Sequence, residues 1–171
     1  PWDLDRAQGG LRILHPSPTP EGGGWQRGTA DAVRYNLDLI EDAPIDAVLL
    51  LAGDHVYKMD YAPLLQLHEE RGADLTMAVR SVSPHDAHRY GIVTMGGDLR
   101  VDRFEEKPRR ASSNLASMGI YVFRRDFLIE LLRGGQEQDF GRHLLPRVVS
   151  RAKTYGYNFQ GYWADVGTVQ A

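Results

Sequence analysis

Four short stretches place acids, a lysine and glycines where chemistry could be done. In Leu51-Ala52-Gly53-Asp54-His55 an aspartate stands immediately past an apolar run. If that run is a strand, Asp54 lies at its carboxyl end, the edge where open α/β sheets bind ligands. A carboxylate there suits Mg²⁺, a hard cation held by one or two carboxylates together with substrate phosphates. Gly53-Asp54 reads equally well as a plain turn. In Trp25-Gln26-Arg27-Gly28-Thr29-Ala30-Asp31-Ala32 a glycine sits at a loop-to-helix junction. Backbone N–H groups can approach a ligand there, and the helix terminus favours anions or polar acceptors; an ordinary N-cap behind a flexible glycine has the same signature. Phe104-Glu105-Glu106-Lys107-Pro108 ends a strand with two acids and a lysine. Lysine is a point charge for phosphate and a carboxylate can accept sugar hydroxyls, or the group is a solvated strand end with weak ion pairs. In Tyr162-Trp163-Ala164-Asp165-Val166-Gly167-Thr168 an aspartate could join Asp54 on one metal, or cap a terminal helix.

Other chemistries lack their residues. The chain has no cysteine, which excludes a disulfide scaffold, a thiolate zinc site and a cysteine nucleophile. No pair among the six histidines has metalloprotease spacing, and His85 and His88 read as a polar surface helix. There is no Gly-x-Ser-x-Gly elbow, no Walker loop and no Gly-x-Gly-x-x-Gly.

The elements that must position these residues follow from periodicity. Val33, Leu37 and Ile40 form one apolar stripe, so a helix runs from a Thr29 cap to about Asp42, before Pro44. Ala47 to Ala52 is a continuous apolar run stopped by Gly53, the pattern of a strand buried on both faces in a parallel sheet. A helix capped by Asp60 carries Leu64, Leu65 and His68 on one face and stops at Gly72. Residues 74–81 make a second apolar strand, and the order helix, strand, helix, strand predicts an α/β fold. Residues 91–95 and 99–104 read as two strands joined by a tight Gly96-Gly97 turn. A strand over 115–124 precedes a helix capped by Asp126, carrying Phe127, Leu128, Leu131 and Leu132. A helical segment from Asp139 to about Arg151, broken near Pro146, and two short strands near 153–164 complete the chain. Leu11 to Leu14 is a candidate strand, and the alternate prolines and three glycines of 15–27 predict a loop.

Composition sets outer limits. With 171 residues the length fits one domain or a large piece of one. A hydrophobic fraction of 42% and a charged fraction of 25% are ordinary for a globular chain. No apolar run approaches ~20 residues, so no membrane span is predicted. Net charge is -3, and no basic block suggests a nucleic-acid groove.

The order of the motifs is more specific than any one of them. Gly-Thr-Ala-Asp-Ala (28–32), Leu-Ala-Gly-Asp-His-Val-Tyr-Lys-Met-Asp-Tyr (51–61), Glu-Glu-Lys-Pro (105–108), Ser-Met-Gly-Ile-Tyr-Val-Phe (117–123), Asp-Phe-Gly (139–141) and Trp-Ala-Asp-Val-Gly-Thr (163–168) closely resemble the glucose-1-phosphate adenylyltransferases. The resemblance covers nearly everything from Trp25 onward. It implies a Rossmann-like sugar nucleotidyltransferase fold: a mostly parallel central sheet flanked by helices, with an antiparallel sub-sheet. It implies transfer of the adenylyl group of ATP to glucose 1-phosphate, giving ADP-glucose and pyrophosphate for glycogen synthesis. By this resemblance Asp54 and Asp165 hold Mg²⁺, and Asp54, Lys107 and Asp165 carry catalysis. Lys107 binds the sugar phosphate and Glu106 the glucose hydroxyls. Ser117 and the backbone of Gly91 and Gly119 line the glucose pocket, and Gly28 and Thr29 face the adenine.

Two family features are not in this sequence: an initial glycine-rich loop with an arginine for the triphosphate, and a terminal β-helix. The chain therefore reads as an internal piece, with residues 1–27 poorly patterned and 28–171 a partial catalytic domain. Gln26 departs from the aromatic residue many relatives carry beside Trp25. The resemblance also implies a cytoplasmic homotetramer that contacts neither nucleic acid nor membrane. A transferase for another base or sugar, and a non-catalytic regulatory subunit of the same fold, are the competing expectations. Retention of both Asp54 and Asp165 argues against the latter.

Overall fold

The computed structural model describes residues 10–15 and 26–167. The strand expected at Leu11–Leu14 does not form; those residues are exposed and irregular. Most of the expected 15–27 loop, including Trp25, lies outside the described residues, as does any helix after Asp165.

The sheet is organised by one long strand. Its strands are β1 (Ala47–Leu51), β3 (Leu75–Ser81), β4 (Gly91–Met95), β5 (Val101–Glu106), β6 (Leu115–Arg124) and β7 (Thr154–Asn158). The β6 strand runs antiparallel to every neighbour. Along one edge it pairs with β3. Along the other it pairs end to end with two strands, its first residues with β4 and Ile120 to Arg124 with β1. β5 extends the sheet beyond β4, and β7 extends it beyond β3. A separate two-stranded ribbon joins β2 (His55–Tyr57) to β8 (Trp163–Asp165).

The α/β class expected from the sequence is present, but the sheet is not mostly parallel. Among the described residues only β3 and β7 pair in parallel. β1 and β3 do run in the same direction, as a strand–helix–strand unit requires. The reversed strand β6 lies between them, so neither apolar run has the other as its neighbour. The β1 run is not buried on both faces as expected: its residues are half-buried and Leu51 is exposed, so an apolar run fixes neither full burial nor the direction of its partner.

Alternation on β6 and β3 divides the core between two faces. Leu75, Met77, Val79 and Phe123 pack on one side, against helices α1 (Thr29–Arg34), α2 (Leu37–Glu41), α4 (Arg125–Arg133) and α5 (Leu145–Val148). Ala78, Met118, Ile120 and Val122 pack on the other, with Leu64 of α3 (Ala62–Glu70) and Trp163 of the ribbon. His68 and Thr76 are the buried polar pair on that side, with His68 Nδ1 2.9 Å from Thr76 Oγ1. Burial depresses the His68 pKa below its usual value, so the ring sits there neutral.

The stripe of Val33, Leu37 and Ile40 packs on the first core as its spacing predicts, but on two short helices. The Asn36 side chain donates to Ala32 O at 2.8 Å, the carbonyl that a continuous helix would give to Asn36 N. Asn36 N bonds Val33 O instead. Local side-chain competition of this kind interrupts helices. After α4 a π turn over Phe140–Leu144 leads into α5, with Pro146 in its first turn.

Candidate active site

The chain leaves β1 at Leu51, and Ala52 N donates to Gly119 O at 2.9 Å. This fixes the turn at Gly53-Asp54 against the middle of β6. Gly119 has φ of 67°, the left-handed region in which a side chain is strained. It is also crowded. A Cβ there would lie 2.8 Å from the Ala52 methyl and 2.8 Å from His55 Cε1. The bare backbone at 119 therefore lets His55 close over β6, where its Nδ1 lies 2.7 Å from Met118 O. A carbonyl can only accept, so Nδ1 carries the proton and Nε2 is left toward Asp54, at 3.6 Å from its Oδ1. His55 is also held edge-on against Trp163, with ring centroids 5.3 Å apart.

The β2–β8 ribbon brings the second aspartate to the first. Its register sets Asp165 opposite His55, and Val166 N donates to Asp54 O at 3.0 Å. Potential ligand atoms of Asp54, His55 and Asp165 all lie within 4.8 Å of one another. A Cβ at Gly167 would lie 3.0 Å from Asp165 Oδ1 and 3.1 Å from Asp54 Oδ2, so the glycine leaves room beside both carboxylates. The Asp54 side chain is 62% exposed and that of His55 12%. Two hard oxygen donors open to solvent, backed by a fixed imidazole, fit a divalent cation that keeps positions for water and phosphate.

A second cluster surrounds Glu106, at the end of β5. Gly91 pairs with Glu106 across β4–β5. A Cβ at Gly91 would lie 3.2 Å from Glu106 Oε2, and one at Gly141 2.7 Å from the same atom, so the carboxylate is wedged between two bare backbones. Burial raises its pKa above the ordinary value; Lys107 opposes that, Asp139 adds to it and Arg142 opposes it. Nearby, Ser117 Oγ and Tyr121 Oη are 3.1 Å apart on β6. Burial pushes the Tyr121 phenol up to about 12; Ser117 opposes the rise, and the charges of Glu106 and Asp139 reinforce it. Lys107 itself is exposed. Its φ is 44°, and its N–H donates to Tyr90 O at 3.1 Å.

Thr29 belongs to this second cluster. Its hydroxyl lies 3.2 Å from Asp139 Oδ2 and accepts from Phe140 N at 3.1 Å. Asp139 in turn accepts from Arg142 N at 2.9 Å. Ala30 N and Asp31 N both donate to Gln138 O. Two of the first N–H groups of α1 are thus taken by the chain before the π turn, and the helix terminus is not the open anion site its glycine suggests. Thr29 follows Gly28, which occupies the cap position.

The structure therefore gathers Asp54 with Asp165, and Glu106 with Gly91 and Lys107. Ser117 and Gly119 lie two residues apart on the one strand that touches both groups. His55 and Asp139, like Tyr121, Gly141 and Gly167, carry no role that the sequence alone assigns. His55 lay in the motif that singled out Asp54, and its invisible feature was the Met118 carbonyl. Asp139 was visible as the start of Asp-Phe-Gly, a polar residue before an apolar one at a helix start.

Two carboxylates thus meet across the β2–β8 ribbon, while Glu106 and Lys107 stand at the end of β5 on the main sheet. The chain belongs to the nucleotidyl transferase family, which matches residues 12–171. It is similar to curated proteins named glucose-1-phosphate adenylyltransferase. The relative from Thermomicrobium roseum is 50% identical over 100% of this chain and 41% of its own length. Those from Clostridium kluyveri and Clostridium acetobutylicum are 42% and 43% identical, again over 100% of this chain and over 46% and 47% of theirs. The chain thus spans less than half of each of these relatives. Among the described residues no helix is long and apolar enough to cross a membrane.

Proposed function

We propose that this chain carries the catalytic site of an enzyme that moves the adenylyl group of ATP onto glucose 1-phosphate, forming ADP-glucose and pyrophosphate for α-glucan synthesis. The observation that carries the reading is the convergence of Asp54 and Asp165 across the β2–β8 ribbon. The name shared by the relatives supports the choice of substrates. Asp54 and Asp165 are the residues that would hold Mg²⁺, which when bound neutralises charge on the triphosphate.

The chain's own residues do the remainder by binding and orientation. Lys107 sets a compact positive charge against the phosphate of glucose 1-phosphate. Glu106 accepts from glucose hydroxyls; held between Gly91 and Gly141, its carboxylate has little freedom to lose on binding. Ser117 and the backbone of Gly91 and Gly119 line the sugar pocket, while Gly28 and Thr29 face the adenine. An oxygen of the sugar phosphate forms the new bond to the α-phosphorus. The bond from that phosphorus to the bridging oxygen breaks, and pyrophosphate leaves with the electron pair. The attacking oxygen is already an anion, so no residue has to remove a proton. Alignment and charge neutralisation suffice. The whole protein is a cytoplasmic homotetramer in this reading.

The test is pyrophosphate release by the full-length protein with glucose 1-phosphate and each of ATP, GTP, CTP, UTP and dTTP. The reading expects ATP to be used far better than the others. Preference for another base would move the chain to a different sugar nucleotide. Release with none would point to a non-catalytic subunit.

A further inference from the structure

A cleft of about 480 Å³, beginning two residues past Lys107, is lined by His85, His88, Arg109, Arg110, Ser113 and Asn114, with Pro84 and Ala111 as its apolar members. The volume suits a small ligand. The lining does not resemble an apolar pocket: two guanidiniums and two imidazoles meet there, and no carboxylate lines it. This is unexpected on a chain whose net charge is -3.

Arg34, Arg103, Arg124, Arg125, Arg133 and Arg147 each face a carboxylate, and Arg71, Arg89 and Arg100 lie over tyrosine rings; what distinguishes Arg109 and Arg110 is that two guanidiniums line one cleft. Arg109 and Arg110 have no ion-pair or hydrogen-bond partner among the described residues. The rest of the lining is already committed. Ser113 Oγ donates to Val93 O and accepts from Leu115 N at 3.1 Å. Val82 N donates to Asn114 O at 2.9 Å. His88 Nδ1 lies 2.8 Å from His85 O and must donate to it, which leaves Nε2 as the ring's remaining polar atom. Asp86 caps the 3₁₀ turn of this wall, and its carboxylate lies 3.5 Å from His85 Nδ1. The anchored half of the 109–114 loop and the 3₁₀ turn over Ala87–Arg89 therefore form fixed walls, while the two exposed guanidinium forks are left to solvent or a ligand.

We propose that this cleft binds a phosphoryl-bearing small molecule, with Arg109 and Arg110 gripping the phosphoryl oxygens and His88 closing the wall. Paired guanidinium forks match the geometry and charge of that group. The cleft shares no lining residue with the groups proposed for catalysis, although Arg109 follows Lys107 by two positions, and its existence does not depend on that reading.

The test uses the full-length protein and phenylglyoxal, which modifies arginines, with the modified peptides quantified by mass spectrometry. Inorganic phosphate and glycerol phosphate are the probes, and ionic strength is held constant with sodium chloride. Two charge-assisted contacts place affinity near the millimolar range. About 10 mM of either probe should then slow modification of Arg109 and Arg110 roughly tenfold, and leave Arg133 unchanged. H88A should weaken the protection severalfold. K107A should leave it intact, which separates this cleft from the sugar-phosphate contact. Absence of protection, or equal slowing at Arg133, would overturn the proposal. So would protection lost in K107A, or an oligonucleotide that protects far better than either small probe.

Discussion

Replacing Gly119 by alanine tests whether the bare backbone at the centre of β6 is what lets the site assemble. Two costs add. The residue has φ of 67°, and a side chain in the left-handed region costs roughly 1–2 kcal/mol. The new Cβ would meet Ala52 Cβ and His55 Cε1, each at 2.8 Å, and forcing an atom into a packed site costs about 1–3 kcal/mol. The sum is roughly 2–5 kcal/mol. For a domain of this size that lowers the midpoint of thermal unfolding by about 4–20 °C. Turnover should fall further than stability explains, because relief of the contact pushes His55 away from Met118 O and disturbs Asp54. Gly53→Ala is the control. Nothing lies within 4 Å of a Cβ at that position, so its effect should stay within about 0.5 kcal/mol. The assay is thermal unfolding of the full-length protein, followed by steady-state turnover. A loss under about 1 kcal/mol for Gly119→Ala, or an equal loss for Gly53→Ala, would refute the reasoning.

Lys107→Ala should raise the Michaelis constant for glucose 1-phosphate tenfold or more, since a charged contact is worth roughly 1.5–3 kcal/mol, and change that for ATP much less; equal effects would make Lys107 structural. Burial raises the Glu106 pKa, so the native state holds that proton more tightly than the unfolded chain does. Its contribution is present at acid pH and is lost as pH climbs from the ordinary carboxylate pKa through the raised one. Glu106→Gln should flatten that limb in urea midpoints measured across the range, and an unaltered pH profile would contradict the assignment. His68 runs the other way. Its depressed pKa means stability is present above the unfolded value of about 6.5 and is lost as pH falls through the native one, and His68→Gln should weaken that acid limb.

Much of the fold could be read locally. The 115–124 strand and the α3 helix ending before Gly72 appear where expected, but Tyr61 rather than Asp60 holds the cap position, and Asp60 accepts from Ala62 N at 3.0 Å in the turn before it. What local pattern could not show is who pairs with whom. The apolar runs of β1 and β3 would look the same beside each other or, as here, on opposite edges of β6. The helix break at Asn36 was hidden because its stripe is continuous and only a side-chain bond interrupts it. In the site, Asp54 and Asp165 were legible as residue types at strand ends. Their convergence depends on the β2–β8 register, a long-range pairing of two three-residue strands too short to carry a pattern. The wedging of Glu106 between Gly91 and Gly141 is likewise a tertiary fact.

The central claim is that Asp54 and Asp165 act together at one site. The most direct measurement is turnover of Asp54→Asn, Asp165→Asn and the double variant in the full-length protein at saturating Mg²⁺, with folding checked by circular dichroism. Each single change should lower kcat by about 10²–10³ or more. The double variant should lose little beyond the worse single one, because groups that act as a unit are not additive. Near-normal turnover in either folded single variant, or losses that simply multiply in the double, would contradict the shared site.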